Sequence, residues 1–413
     1  MLAALDRCPG GPELLSLAAS GEDLSLVGGA ARDLMLGREP RELDVVVAGE
    51  AAAFASELAA RSGADAARVT IHGRFGTAVV EWGAARVDIA ERRAESYPRP
   101  GALPEVRPGS IGEDLRRRDF TVNAIAIPLT ASHRGDLHAA KHALEDLAAG
   151  RLRVLHERSF IDDPTRLLRM ARYCARLGFA PEPHTGELAA AALADGALTS
   201  VSRARVGAEL RLALGEADPV RALAALSELG VIAAIDPRLG FEPQLARRAL
   251  ARLPPDGHPD LLLLALLLLP LSLDSGRDLE PVMFDLLDGL EFTGGERERA
   301  ISSAVRAPAL SRELRAARLP SEVAEAAASS TLEAVALADS LDGANGGQGG
   351  IGEWLTSWRH VRLEISGEDL LAAGVPAGPE IGRRLAATLR RKLDGELQPG
   401  REAELRAALE ASV

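Results

Sequence analysis

Up to about residue 150 the apolar positions come in short runs, several of them alternating with polar ones, set between turn-forming residues. Alternation over a few residues marks a half-buried strand. Strands are therefore predicted at Leu24–Val27, Leu43–Val47, Ala67–Ile71, Thr77–Trp82 and Ala85–Ala90, with His72-Gly73-Arg74-Phe75-Gly76 as a turn between the third and fourth. A helix follows Gly28-Gly29 and carries Arg32 and Asp33. The Ala-rich stretch from Glu50 to Ser62 reads as another helix. Pro98 to Pro108, with Gly101 inside it, reads as a mobile loop. The next stretch, EDLRRRDFTVNAIAIPL, starts helical. It then alternates Phe120, Val122 and Ala124 against Thr121 and Asn123, which predicts a further strand.

Beyond residue 150 the strand signal disappears. Asp163-Pro164 opens a helix, because proline suits the first helical position. Leu167, Met170, Ala171 and Cys174 form its apolar stripe, and Gly178 ends it. Arg166, Arg169 and Arg172 recur every third residue on another face, with Asp163 one turn before Arg166. From 186 to about 330 the chain reads as a helical array, punctuated at Pro219, Pro237 and Pro254-Pro255. His258-Pro259-Asp260 reads as a helix entry. The run Leu261–Leu269 reads as a buried helix ending at Pro270, too short to span a bilayer. The glycine-rich stretch from Asp342 to Gly352 reads as a linker. After it, two short helices flank a turn at Gly374–Pro379. Gly382, Arg383, Arg384, Arg390, Arg391 and Lys392 follow, either as a grip on a nucleic-acid backbone or as a solvated basic face.

Composition narrows this picture. A chain of 413 residues has room for two to four domains. With 47% hydrophobic but 3% aromatic residues, the core rests on Leu, Ala and Val. A net charge of -12 excludes a generally basic nucleic-acid binder, so any RNA site is a local patch. Cys8 and Cys174 have no metal-ligand spacing, which fits a cytoplasmic protein without a disulfide framework. The first residues lack a signal pattern.

The candidate chemistry lies at the start. On the strand Leu43–Val47 side chains alternate, so Glu42 and Asp44 share a face. They lie near the Gly28-Gly29 turn and the start of a helix, where free N–H groups attract phosphate. Paired carboxylates can hold the divalent ions that bridge attacking and leaving oxygens. Asp88 shares a strand face with Arg86. It is either a third acidic group for this pair or a partner of Arg86 or Arg92. Arg116, Arg117 and Arg118 either line a solvated helix face or reach a triphosphate.

Taken in order, GGAARDLMLGREPRELDVVV, HGRFGTAVVEW, VDIA, EDLRRRDFTVNAIAI and DDPTRLLRMARYCARLGF resemble the motifs of class II tRNA nucleotidyltransferases. That family includes CCA-adding enzymes, CC-adding and A-adding relatives, and bacterial poly(A) polymerases. The likeness is dense from Leu26 to Phe179 and looser at GVPAGPEIG. It implies an α+β chain: a polymerase-β-like nucleotidyltransferase head at 1–148, then an all-α neck at 149–215, body at 216–341 and tRNA-binding tail at 342–413. It implies Gly28, Gly29 and Arg32 at the triphosphate, Arg118 in contact with the nucleotide, and Glu42 and Asp44 as the catalytic pair holding Mg2+. Asp163 and Arg166 would read the incoming base, with Arg169 and Arg172 nearby. A carboxylate only accepts and a guanidinium only donates, which matches the amino group and ring nitrogen shared by cytosine and adenine. The family usually has Asp where this chain has Glu42, a longer and looser stem. The implied activity is template-independent addition of C and A from CTP and ATP to the 3′ end of tRNA. Within the family the rivals are poly(A), CC-only and A-only addition. Outside it they are an RNA-binding protein with weakened metal chemistry and a small-molecule nucleotidyltransferase.

Overall fold

Among the described residues, nine strands lie before residue 140. They are β1 (Leu24–Val27), β2 (Leu43–Val47), β3 (Arg68–His72), β4 (Thr77–Trp82), β5 (Ala85–Glu91), β6 (Arg93–Ser96), β7 (Glu105–Pro108), β8 (Ile125–Pro128) and β9 (His138–Ala139). The computed structural model describes residues 1–63, 67–73, 76–133, 136–273, 279–341 and 350–411. It divides into two units, Met1–Glu209 and Leu210–Val413.

Seven strands of the first unit form one sheet in the order β3-β4-β5-β2-β1-β8-β9. Only β2 and β5 run parallel among its neighbours; the other pairs are antiparallel. β1 and β8 are buried along their whole length, as strands covered on both faces must be. Val27, Val46, Leu115, Ala124 and Ala126 pack together as a buried core cluster. The β2–β5 register sets Asp44 beside Asp88, and so fixes two carboxylates on adjacent strands.

Three local expectations change in the first unit. The predicted strand over Phe120–Ala124 is a 3-10 turn at Thr121–Asn123, with the strand starting at Ile125. Thr121 and Asn123 are buried as well as Phe120, Val122 and Ala124, so the alternation does not separate core from solvent. Thr121 Oγ1 donates to Asp146, and the Asn123 amide donates to Asp119. The stretch Pro98–Pro108 ends in strand β7, which pairs with β6; all four β7 residues are exposed, so burial left no pattern to read. Beyond residue 150, Arg151–Leu152 pairs with Ala180–Pro181 as a two-residue parallel bridge. The predicted turn His72–Gly76 includes residues 74 and 75, which lie outside the described residues.

The helix expected at Asp163-Pro164 runs Thr165–Leu177, and Gly178 closes it with φ 75°. A short helix, Ser159–Asp162, precedes it.

The second unit is helical among the described residues. Leu261 to Leu269 are all buried, in a helix running Pro259–Leu273. It passes through Pro270, so that proline does not end it. Proline removes a hydrogen bond from the last turn only, and the leucines before it are already held by packing. This helix packs on Gly294–Ala316, which packs on Leu332–Ser340. Most of the predicted linker, residues 342–349, lies outside the described residues, whereas Ile351 and Gly352 start the helix Ile351–Thr356. The tail helices are Gly367–Ala372, Pro379–Leu393 and Arg401–Glu410. They close over Ile365, Leu370, Val375 and Ala408. Much of the tail's basic run has acidic partners: Arg384 with Glu380, Arg390 with Glu325, Arg391 with Glu396 and Lys392 with Glu404. Among the described residues no helix is long and apolar enough to cross a membrane.

Candidate active site

β1 runs straight into the helix Gly28–Met35 with no loop between them. Gly28 makes the join at φ +63°, a left-handed conformation that favours glycine. A side chain there would meet the Arg118 Nη1 at 2.9 Å and Asp44 Oδ2 at 3.5 Å. At Gly29 it would meet Asp44 Oδ2 at 3.7 Å. The two glycines thus let backbone N–H groups, a carboxylate and a guanidinium meet at one point.

Glu42, Asp44 and Asp88 each offer an oxygen within 4.8 Å of the others. Burial pushes the Asp44 carboxyl up to about 7, helped by the negative charges of Glu42 and Asp88 and opposed by Arg118. Burial and Asp88 also raise Glu42, against the pull of Arg86. Three carboxylates this close repel one another, and a divalent cation would relieve that repulsion. The donor set, all oxygen, suits a hard ion. Asp88 fills both roles left open by the sequence. It joins this cluster, and Arg86 donates to both of its oxygens at 3.3 and 3.2 Å. Arg92 pairs with Asp23 instead.

Arg118 is aimed by the helix Ile111–Arg116, which a Ser110–Glu113 capping box starts. The fully buried Asp114 on that helix accepts from Arg118 at 2.9 Å and from Arg117 at 2.7 Å. Arg116 is exposed.

The helix Thr165–Leu177 brings the remaining candidates. Asp163 Oδ1 accepts from the Thr165 N–H, the Thr165 hydroxyl and, at 2.8 Å, Arg205. Arg166 donates to Ser159 Oγ at 2.6 Å and to the Arg117 carbonyl at 2.9 Å. The two side chains thus have other partners, while the Arg166 N–H donates to the Asp163 carbonyl at 3.1 Å. Arg169 clasps the buried Asp119 through Nε at 2.9 Å and Nη2 at 2.7 Å. None of the three arginines lies along a solvated stripe, for Arg166 and Arg172 are buried and Arg169 is partly covered.

A cavity of about 630 Å³ takes in Gly28, Gly29, Glu42 and Asp44 on one side. Arg118, Asp163, Arg166 and Arg169 line it too. Arg32 and Arg172 do not. Arg32 is 1% exposed and bonded to Asp33 and to the Asn123 carbonyl oxygen. Arg172 pairs with Glu209 at 3.1 Å. Both lie against the ring of Tyr173, at 5.7 and 5.2 Å from its centre.

The sequence reading missed Asp119, Asn123, Tyr173 and Arg205. The first two carry a signal: polar residues inside an otherwise apolar run are buried only when bonded. Tyr173 lies one turn after Arg169, which is also visible in the sequence. Arg205 has none, being brought to Asp163 from 42 residues away by the fold.

Residues 24–153 match the poly A polymerase head domain. The chain is 42% identical over 235 residues to the A-adding tRNA nucleotidyltransferase of Geobacter sulfurreducens, across 56% of this chain and 26% of that protein. It is 32% identical over 301 residues to the multifunctional CCA protein of Laribacter hongkongensis, across 70% of this chain and 72% of the relative. The structure of the Thermotoga maritima CCA-adding enzyme complexed with tRNA superposes with a TM-score of 0.75 at 28% identity, covering 96% of this chain and 94% of that one. The chain spans only about a quarter of the Geobacter relative's length. The similarity to the Laribacter protein extends well beyond the head domain, and on it the chain belongs to the class II tRNA nucleotidyltransferase and poly(A) polymerase family.

Proposed function

We propose that the chain is a cytoplasmic CCA-adding enzyme that transfers C and A from CTP and ATP to the 3′ end of tRNA without a nucleic-acid template. One observation carries this reading. Three carboxylates, a glycine-started helix and Arg118 meet in the same cavity that Asp163 and Arg166 line. Relatives and neighbours named for this activity support it.

In this reading Glu42, Asp44 and Asp88 hold Mg2+. Bound there, the ion makes the RNA 3′-hydroxyl more acidic and offsets charge on the departing pyrophosphate. The backbone N–H groups of Gly28 and Gly29 and the Arg118 guanidinium hold the triphosphate. The 3′-oxygen forms a bond to the α-phosphorus, the bond to the β-phosphate bridge breaks, and the hydroxyl proton passes to solvent. Asp163 accepts from the amino group of cytosine or adenine. Arg166 donates to the adjacent ring nitrogen. Guanine and uracil present the opposite pattern, leaving buried groups unpaired at about 1–3 kcal/mol each. Asp119, Asn123 and Tyr173 hold Arg169 in place. The division into head 1–148, neck 149–215, body 216–341 and tail 342–413 belongs to the same proposal, with the tail on the tRNA.

A second reading, an A-adding specialist, is favoured by the 42% identity to the Geobacter enzyme. One experiment separates the two. Labelled CTP and ATP are offered to tRNA ending at the discriminator base, after one C, and after two. Extension of all three substrates supports the CCA-adding reading. Extension only of the substrate ending in two C residues supports the specialist. No extension of any substrate removes both.

A further inference from the structure

The carboxylate cluster has a cation of its own. Arg86 lies two residues before Asp88 on β5, so both side chains leave the same face of the sheet. Its Nε is 3.4 Å from Glu42 Oε2 and 3.3 Å from Asp88 Oδ2, and its Nη2 is 3.2 Å from Asp88 Oδ1. Glu42 and Asp88 are two of the three carboxylates that cluster there. The third nitrogen, Nη1, is 3.0 Å from Glu81 Oε1. Glu81 faces Arg86 across the β4–β5 pairing and is not a member of the cluster. Asp44 is served by a different cation, Arg118.

We propose that Arg86 is a built-in counter-cation for the cluster, holding Glu42 and Asp88 when no divalent ion is bound and withdrawing to Glu81 when one is. This rests on the reading of Glu42, Asp44 and Asp88 as a metal site. Two features make the exchange feasible. The Arg86 side chain is 45% exposed, so it swings without disturbing the core. Glu81 already holds one of its nitrogens, so a guanidinium displaced from the cluster keeps a carboxylate partner. The fork of the guanidinium is essential, because one planar group must reach carboxylates on different strands together; a lysine ammonium is a point charge and does not. Exposed ion pairs are individually weak, so the cation yields readily to a divalent ion but sets the concentration at which it does so.

The test is Mn2+ binding to the full chain without nucleotide, by calorimetry. Losing two competing pairs should let R86Q bind Mn2+ about three- to tenfold tighter than wild type. R86K, which keeps the charge but not the fork, should also bind tighter, by a smaller factor. E81Q removes the outside partner and should bind more weakly. The metal-free R86Q protein should melt below wild type, and saturating Mn2+ should close the gap. If R86Q binds Mn2+ no better than wild type while D44N abolishes binding, the role of Arg86 falls and the metal site stands. If R86Q binds tighter but R86K matches wild type, Arg86 is only a background charge and the proposal also falls. If wild type binds no Mn2+, or D44N binds it equally well, the metal-site reading falls and takes this one with it.

Discussion

Arg205 donates from Nη2 to Asp163 Oδ1 at 2.8 Å, and from Nη1 to the Gly101 carbonyl at 3.0 Å. One guanidinium thus ties the carboxylate proposed to read the base to the segment between β6 and β7. Gly101 is itself clamped, since a side chain there would strike the Ser200 carbonyl at 2.5 Å. With Thr165 the arginine takes up Oδ1 and leaves the lone pairs of Oδ2 for a base. R205A should free the Asp163 carboxylate to rotate. The expected result is about tenfold weaker discrimination of CTP and ATP against GTP and UTP, with KM rising more than kcat falls. Steady-state kinetics with all four nucleotides measures this. An unchanged preference would mean that Thr165 alone orients Asp163.

Asp44 sets stability against function. Its carboxyl lies at about 7 in the folded chain, above the ordinary value of about 4 in an unfolded one. A raised carboxyl costs stability as pH rises from the unfolded value through the folded one, and the full cost is present above both. D44N removes that cost. Without divalent ions at pH 8 it should melt above wild type by about 2–4 °C, a gap that closes near pH 4. The same variant should lose on the order of a hundredfold or more in nucleotide incorporation. Melting curves at the two pH values, beside a Mg2+-dependent assay, test both halves. A metal-free D44N no more stable than wild type would show that the cluster is not strained.

The strands β1, β2, β4 and β5 were legible because each buries at least one face. The apolar alternation of β4 and β5, and the largely apolar runs of β1 and β2, survive as a pattern in the chain. β7 was not legible, because all four of its residues are exposed and leave no buried face to mark it. The segment Phe120–Asn123 misled for the opposite reason: both of its faces are buried, and the polar residues are paid for by bonds invisible in a linear sequence. Glu42 and Asp44 were readable from strand periodicity, and Asp88 from its own strand. Their convergence needed the β2–β5 register, which is tertiary. The arginines of the helix after Asp163 were readable as a face, but their partners were not. Asp119 lies 50 residues from Arg169 and Glu209 lies 37 from Arg172.

Asp119 predicts how the first unit responds to acid. Burial alone would raise its carboxyl, yet Arg169, the Asn123 amide and Arg166 together hold it below the usual range. A lowered carboxyl stabilises the fold above the unfolded value, and that contribution is lost as pH falls from there toward the folded value. Wild type should therefore lose melting temperature steeply below about pH 5. D119N should start lower at neutral pH and fall less steeply. Thermal melts from pH 7 to pH 3 decide the matter, and parallel curves for the two proteins would remove Asp119 as a source of acid sensitivity.

Arg32 offers the clearest separation of a structural role from a substrate contact. The resemblance puts it at the triphosphate, but its guanidinium is buried. It is bonded to Asp33 at 2.8 Å and to Asn123 at 2.5 Å. Asn123 in turn holds Asp119, which clasps Arg169. A chain of bonds thus runs from the helix behind the glycines to the arginines on the far wall of the cavity. R32A would leave Asp33 to the more distant Arg176, at 4.0 Å, and strand the Asn123 side-chain oxygen inside the protein, at a cost of about 3–5 kcal/mol. The expected outcome is a large fall in melting temperature, with nucleotide binding lost only through that fall. An R32K protein should keep the charge but lose the fork that reaches both partners, and so recover only part of the stability. Melting curves and direct CTP binding on both variants distinguish the roles. A stable R32A protein with weakened CTP binding would return Arg32 to the phosphates.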